Sequence, residues 1–113
     1  MHEMALAQSV VEIVEDQARR DTFTRVRTVR LSLGALSHVD PRALAFGFDV
    51  ATRGTVAEGA VLAIDRPGGT GYCTDCCTIV EIAAHDAPCP SCGGNKWMLV
   101  GGDEMRVVDL EVD

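Results

Sequence analysis

The stretch that decides how this chain is organised is residues 73–92, which read CTDCCTIVEIAAHDAPCPSC. It contains two Cys-x-x-Cys pairs, Cys73 with Cys76 and Cys89 with Cys92, separated by 12 residues. Each pair can bend around a metal ion as a knuckle, and two knuckles supply the four thiolates that zinc binds tetrahedrally. The spacing therefore predicts one structural zinc ion held by these four cysteines.

A redox dithiol and a catalytic zinc site are the two alternatives to structural zinc. A redox dithiol is normally a lone Cys-x-x-Cys at the start of a helix, and a catalytic zinc keeps one coordination position open. The chain has five cysteines, and in a reducing compartment this pattern favours metal over disulfides. Cys77 is the surplus thiol; we interpret it as an unpaired residue, with ligand exchange with Cys76 or oxidative sensing as the alternatives.

The residues around the cysteines indicate a zinc ribbon inserted into another domain. Residues 67–71 read PGGTG, which predicts a break in regular structure, and Gly101-Gly102 marks the other end. Short runs at residues 78–83 and 96–100 are expected to be the strands of the ribbon. We predict that the glycine-rich joints act as hinges and that the ribbon occupies residues 69–101.

The rest of the chain shows alternating helix and strand patterns. Apolar residues recur at helical spacing over residues 4–18, and Val26–Leu33 alternates as a half-buried strand does. A second helix is predicted from the cap Asp40 and Pro41 to Gly54, followed by a strand over residues 60–65. The last strand is predicted at residues 105–112. Inward positions on the first helix and the last strand are assigned to Leu6, Val10, Ile13, Val14, Val108, Leu110 and Val112.

These patterns predict an α+β fold in which two helices pack on a three-stranded sheet. The four-cysteine ribbon is inserted before the last strand of that sheet. The predicted domains are residues 1–68 plus 102–113 and residues 69–101. At 113 residues, the chain is long enough for one modest core with a metal-stabilised insertion.

Composition narrows the class of function. The net charge of −7 and the aromatic content of 4% disfavour binding to nucleic acid, because phosphates are repelled and few rings are present to stack on bases. We see neither a signal peptide nor an apolar run long enough to span a membrane, so a cytoplasmic protein is expected. No catalytic triad, paired carboxylates or phosphate loop is evident, so we do not predict an enzyme.

The N-terminus offers a second arrangement of metal-binding groups. The amine of Met1, the amide nitrogen of His2 and the His2 imidazole can chelate one ion in a plane, which suits Ni²⁺ or Cu²⁺ rather than Zn²⁺. A fourth donor could be the amide of Glu3, water, or a side chain. The side-chain candidates are His38, Asp40 and His85. Taken alone, a histidine at position 2 is more often simply solvated.

Four short motifs carry a resemblance to a known family. They are MHEMAL at residues 1–6, GALS at 34–37, TVAEGA at 55–60 and GDEMR at 102–106, in one order with the two cysteine pairs. The chain resembles the HypA/HybF family of nickel-insertion accessory proteins for [NiFe] hydrogenase along nearly its whole length. Ala35 departs from the family pattern, in which glutamate often follows the strand glycine.

This resemblance implies a metallochaperone with nickel as its cargo. It implies nickel at Met1, His2 and Glu3 in the larger domain, and zinc at the four paired cysteines. The implied partners are a HypB-type GTPase and the hydrogenase large subunit, and in some organisms urease maturation proteins. Monomer and homodimer both stay open. The alternative is a zinc-ribbon module that binds protein or nucleic acid and has no nickel function.

Overall fold

The computed structural model of this protein describes residues 2–113, with side chains from Glu3 onward. It contains two helices and six strands among these residues. The helices are α1 (His2–Asp21) and α2 (Pro41–Ala51). The strands are β1 (Val26–Leu33), β2 (Val61–Asp65), β3 (Gly69–Cys73), β4 (Thr78–Ile82), β5 (Trp97–Gly101) and β6 (Met105–Val112).

The strands form two three-stranded sheets. The first has the order β2-β1-β6, and the second has the order β4-β3-β5 with both neighbours antiparallel to β3. Strands β3 to β5 lie between β2 and β6 along the chain, so the cysteine segment interrupts the first sheet before its last strand. The predicted α+β fold with an inserted ribbon is confirmed.

The contacts divide the chain into two compact units. Unit 1 comprises Met1–Leu31, Val39–Ile64 and Val107–Asp113, and unit 2 comprises Ser32–His38 and Asp65–Arg106. Unit 2 thus includes the GALS segment in addition to the cysteine segment. The predicted domain boundary at residues 68 and 69 stays a prediction about how the chain folds and moves.

The core of unit 1 is built from aliphatic residues on α1, α2 and β1. Leu44 and Phe48 of α2 are buried, and α2 begins as predicted, with Asp40 accepting a hydrogen bond of 2.9 Å from the Arg42 amide. The buried positions of α1 are Ala7, Val10, Val11, Val14 and Ala18.

Val108 and Val112 of β6 were predicted to face inward, but they are 46% and 39% exposed, because β6 is the last strand in the order β2-β1-β6.

Ile13 of α1 was also predicted to face inward, but half of its side chain is exposed. The inward face of α1 is therefore rotated toward Ala7, Val11 and Ala18. These smaller side chains suit a close approach of the two helices, because Gly47 of α2 lies beside Ala7, where a Cβ would stand 3.3 Å from that of Ala7.

The glycine-rich stretch at residues 67–71 was predicted to break regular structure; this holds for Pro67 and Gly68 but is wrong from Gly69 onward. Residues Gly69–Cys73 form β3, the central strand of the second sheet. The reason is steric: a Cβ at Gly71 would meet Ile82 at 2.9 Å and the ring of Trp97 at 3.1 Å. Glycine is used here so that neighbouring side chains can pack against the strand.

Three glycines of unit 2 bring backbone segments into direct contact, and we name Gly34, Gly69 and Gly102 the glycine junction. The Gly34 amide donates to Glu104 (2.9 Å), and the Leu36 amide donates to the Gly102 carbonyl (2.8 Å). A Cβ added to Gly34 would overlap that carbonyl, and one added to Gly102 would stand 2.5 Å from the Gly69 Cα. The junction therefore leaves no room for any side chain.

Among the described residues, no helix combines the length and the apolar character needed to cross a bilayer.

Candidate metal centre

The four paired cysteines converge in unit 2. All four sulfur atoms lie within 4.8 Å of one another. The Sγ atoms of Cys73 and Cys92 are 3.7 Å apart, and those of Cys76 and Cys89 are 3.8 Å apart. These distances are far too long for a disulfide, whose sulfur atoms are about 2.05 Å apart.

The distances fit a tetrahedral metal site. Zinc–sulfur bonds of about 2.3 Å at tetrahedral angles place neighbouring sulfur atoms about 3.8 Å apart. Cys73 and Cys89 are buried, whereas Cys92 is exposed and Cys76 is intermediate. The four sulfurs thus form a complete set of thiolate ligands, which zinc prefers. No coordination position is left open for the water or substrate that a catalytic zinc would bind.

Each knuckle is shaped by hydrogen bonds of its own turn. In the second knuckle, the Gly93 amide donates to the Cys89 carbonyl (2.8 Å), and the Cys89 amide donates to Gly94 (2.8 Å). Gly93 has φ of 74°, a left-handed conformation that glycine adopts without strain. In the first knuckle, the amide and the hydroxyl of Thr74 both donate to the Lys96 carbonyl at 2.9 Å. Lys96 immediately precedes β5, so the first knuckle is tied to that strand.

The thiols of the cluster have unequal acidities. The backbone amide of Cys92 donates to the sulfur of Cys89, and with that of Ser91 it lowers the Cys89 pKa to about 7. For Cys92, the Gly94 amide acts to lower the pKa, but hydrogen bonds with Cys73 and Cys89 outweigh it, and the pKa is raised to about 12. Four clustered thiols cannot all ionise unless a cation neutralises them, so metal binding must release protons.

Zinc affinity is therefore expected to fall as the pH drops from about 8 to about 6, because protons compete with the metal for the thiolates. The sign follows from Cys89, whose thiolate forms near pH 7 and is protonated below it. Competition with a chromophoric chelator, corrected for the chelator's own protonation, measures this dependence. An affinity that is flat over this range contradicts a four-thiolate site.

A small hydrophobic core supports the cluster from one side of the second sheet. Besides Cys73 and Cys89 it contains Leu36, Val80 and Ile82, with Trp97 and Leu99 packed against it. The Trp97 indole N–H donates to the Ala87 carbonyl at 2.8 Å. Leu36 was not predicted to belong to the ribbon, since it lies far from the cysteines in sequence.

Cys77 lies outside the cluster. It is exposed, with a left-handed φ of 55°, and its thiol approaches the Thr74 carbonyl at 3.6 Å. The Cys77 thiol thus lies beside the backbone of the first knuckle. The group of four cysteines that can bind a metal does not include it.

The residues predicted at the nickel site are described only in part. Met1 and the side chain of His2 lie outside the described residues, whereas the backbone of His2 opens α1. Glu3 lies in the first turn of the same helix. Their assignment as nickel ligands stays a prediction.

Two candidates for a fourth donor lie together in unit 2. The rings of His38 and His85 are stacked, with centroids 4.5 Å apart and an angle of 13° between the planes. His85 Nε2 lies 2.7 Å from the Leu36 carbonyl, and only a protonated nitrogen can donate to that oxygen. This pairing connects two distant segments, so no local sequence pattern signals it.

Comparison with known proteins places these features in a family. Residues 1–112 match the family model described as "Hydrogenase/urease nickel incorporation, metallochaperone, hypA". The chain belongs to the HypA family. This membership confirms the resemblance, and HypA proteins are metallochaperones or maturation factors rather than catalytic enzymes.

Relatives that match over their full length support the assignment to HypA. The chain is 50% identical over 113 residues to hydrogenase maturation factor HypA of Methylocella silvestris and 49% identical to that of Rhodopseudomonas palustris, with both chains covered completely. The solution structure of the Ni metallochaperone HypA from Helicobacter pylori is 22% identical, with a TM-score of 0.71 over 97% of this chain and 96% of that one. This structural match shows that the HypA fold is shared.

Proposed function

We propose that this protein is a nickel metallochaperone that binds Ni²⁺ at Met1, His2 and Glu3 and delivers it during maturation of [NiFe] hydrogenase. The observation that carries the proposal is the family match, which starts at residue 1 and runs through residue 112. The matched range includes Met1, His2 and Glu3, the residues proposed to bind nickel.

The chemistry of the N-terminus supports nickel as the cargo. The α-amine, the His2 amide nitrogen and the His2 imidazole are adjacent nitrogen donors, which suit the planar coordination of Ni²⁺. The His2 amide stands at the first position of α1. Amides in the first turn take no part in the hydrogen-bond ladder of the helix, so nickel can replace the His2 amide proton without breaking a helical bond.

Delivery requires a coordination position that another ligand can enter. We propose that the fourth donor is exchangeable, so that a thiolate of the client enters there first and protonation of the amine then releases the ion. Among the candidate side chains, Asp40 is engaged as the cap of α2.

We propose zinc as the resident ion of the four-cysteine cluster. When bound, it supplies a cross-link between the two knuckles rather than chemistry. The small core around Val80 and Ile82 includes Cys73 and Cys89, so an ion that holds the thiolates together also stabilises this core.

The proposed partners follow from the same family membership. They are a HypB-type GTPase, the large subunit of [NiFe] hydrogenase, and urease maturation proteins where urease is present. Their compartment, and that of this protein, is proposed to be the cytoplasm.

The decisive experiment is nickel binding to untagged, zinc-loaded protein beside its His2→Ala variant. We expect one nickel per wild-type chain. In the variant, nickel affinity should fall by more than about 100-fold, because loss of a residue that only supports a ligand already costs up to about that much. Both proteins should retain zinc, because His2 is not part of the cysteine cluster. Isothermal titration calorimetry with nickel, and metal analysis for zinc, provide the two measurements.

A second variant, His38→Ala, removes an exposed imidazole that is one of the candidate fourth donors. If His2→Ala binds nickel as tightly as wild type, His2 is not a ligand and the zinc-ribbon module without nickel function becomes the better interpretation. If His38→Ala loses as much affinity as His2→Ala, the assignment to the N-terminus alone is wrong.

A further inference from the structure

The first sheet has an open side at β6 with a groove beside it, all within unit 1. We name this feature the edge groove; it has a volume of about 650 Å³. Its apolar lining comprises Ile13, Phe23, Val107, Val108, Leu110 and Val112. It lies on the side of α1 that was expected to be buried.

The edge groove exposes apolar surface that the two helices do not cover. Ile13 of α1 is 50% exposed, and Val108 and Val112 of β6 are 46% and 39% exposed. The corresponding inward residues of β1, such as Val29 and Leu31, are completely buried. The layer of side chains under the sheet is therefore complete at β1 and incomplete at β6.

The backbone of β6 also lacks a neighbouring strand on its outer side in the described part of the chain. In the sheet order β2-β1-β6, this eight-residue strand has a neighbour on one side only among the described residues. It contains no proline, which would protect an edge from pairing. A free edge beside an apolar groove is the arrangement that accepts an added strand, because backbone bonds and alternate side chains are then satisfied together.

The acidic residues on and beside β6 indicate which side chains an added strand would have. Asp109, Glu111 and Asp113 alternate with Val108, Leu110 and Val112 and face the β1 arginines, with Arg30 Nη1 2.8 Å from Asp109 and Nη2 3.7 Å from Glu111. The charged residues that line the edge groove are all acidic among those described: Asp21, Asp109 and Asp113. Cations on an added strand would continue the alternation of charge across the sheet.

A second copy of β6 does not fit this edge. If two β6 strands paired as one sheet, Asp109, Glu111 and Asp113 would share a face with the same residues of the other copy. Like charges opposite each other destabilise a strand pair. The acidic face therefore disfavours self-association and favours a different chain.

We propose that β6 and the edge groove bind an extended segment of a partner protein in which basic and apolar residues alternate. The segment adds a fourth strand next to β6, with its apolar side chains in the groove and its basic side chains beside Asp109 and Glu111. This surface needs neither metal ion, so it is independent of the proposed nickel function.

The test uses the full zinc-loaded chain and a synthetic peptide of about the length of β6 that alternates Lys or Arg with Val or Ile. In ¹⁵N and methyl NMR titrations, we expect shifts at β6 and Ile13 and a linear decrease of log affinity with log salt. Val108→Lys is expected to weaken binding by about tenfold or more, because it removes an apolar contact and adds a like charge. Asp109→Asn should weaken binding and reduce the salt dependence.

The matched control is Val61→Lys, which places the same change on β2 at the opposite edge of the sheet, where Val61 is 61% exposed. It should bind the peptide as wild type does. A peptide of equal composition with all cations in one half should bind weakly.

Three results would overturn the proposal. One is no shift at β6 with millimolar peptide, and another is equal binding of the two peptides or of the two lysine variants. The third is a concentration-dependent dimer that Val108→Lys abolishes, since the surface would then belong to a second copy.

Discussion

Replacing Cys73 by serine is expected to abolish zinc binding and to unfold the cysteine segment. The sulfur of Cys73 is fully buried and 3.7 Å from that of Cys92, and the fifth cysteine, Cys77, lies outside the cluster. Structural zinc in small domains contributes an apparent 10–16 kcal/mol, roughly, at neutral pH. The apolar core of unit 2 consists of few side chains, so it cannot offset such a loss.

The fluorescence of Trp97, the only tryptophan, reports this change directly. Its ring packs on the ribbon core and its indole donates to Ala87, so unfolding should shift its emission to longer wavelengths. Far-UV circular dichroism should retain the helical signal, because α1 and α2 pack in unit 1.

The control is Cys77→Ser, which changes an exposed cysteine that lies outside the cluster. This variant should keep one zinc per chain and native fluorescence. Loss of zinc from Cys77→Ser, or retention of zinc in Cys73→Ser, would show that the ligand set is not the one proposed.

Replacing Gly34 by alanine is expected to destabilise the protein by about 3 to 5 kcal/mol, which is at the upper end for single substitutions. The new methyl group would overlap the Gly102 carbonyl, which accepts a hydrogen bond from the Leu36 amide. Because the neighbouring atoms are backbone, no side chain can move aside to relieve the overlap. The backbone must shift, and the bonds of the glycine junction weaken with it.

Urea unfolding of the zinc-loaded protein, followed by Trp97 fluorescence, measures this loss. Gly101→Ala is the matched control, since nothing lies within 4 Å of a Cβ there. We expect that control to change the free energy of unfolding by less than about 1 kcal/mol. Equal stabilities for the two alanine variants would show that the close contact at Gly34 does not affect the free energy of unfolding.

Local sequence patterns predicted the parts of the fold whose causes are local. The strand Val26–Leu33 and the last strand were located from the alternation of apolar and polar residues, and Asp40-Pro41 gave the start of α2. The cysteine cluster was predictable for the same reason, since each knuckle is a ligand spacing within four residues.

Other features depend on contacts between distant segments and could not be predicted in this way. The run PGGTG signals a turn, yet its last three residues belong to the central strand of a sheet, where Ile82 and Trp97 fill the space beside Gly71. Leu36 packs with the ribbon core, and His38 stacks on His85, through tertiary contacts alone. Ile13 matched the helical apolar period, but the helix is rotated and leaves it at the edge groove.

The glycine junction also bears on how this architecture tolerates change in length. The chain enters the inserted segment at Gly69 and leaves it at Gly102, where these two residues touch. An insertion with adjoining ends imposes little loop-closure entropy on its host, since each doubling of loop length costs only about 0.6 kcal/mol. We therefore expect loops within this segment to tolerate changes in length, whereas Leu36, which lies outside the segment and packs in its core, limits exchange of the whole segment for another module.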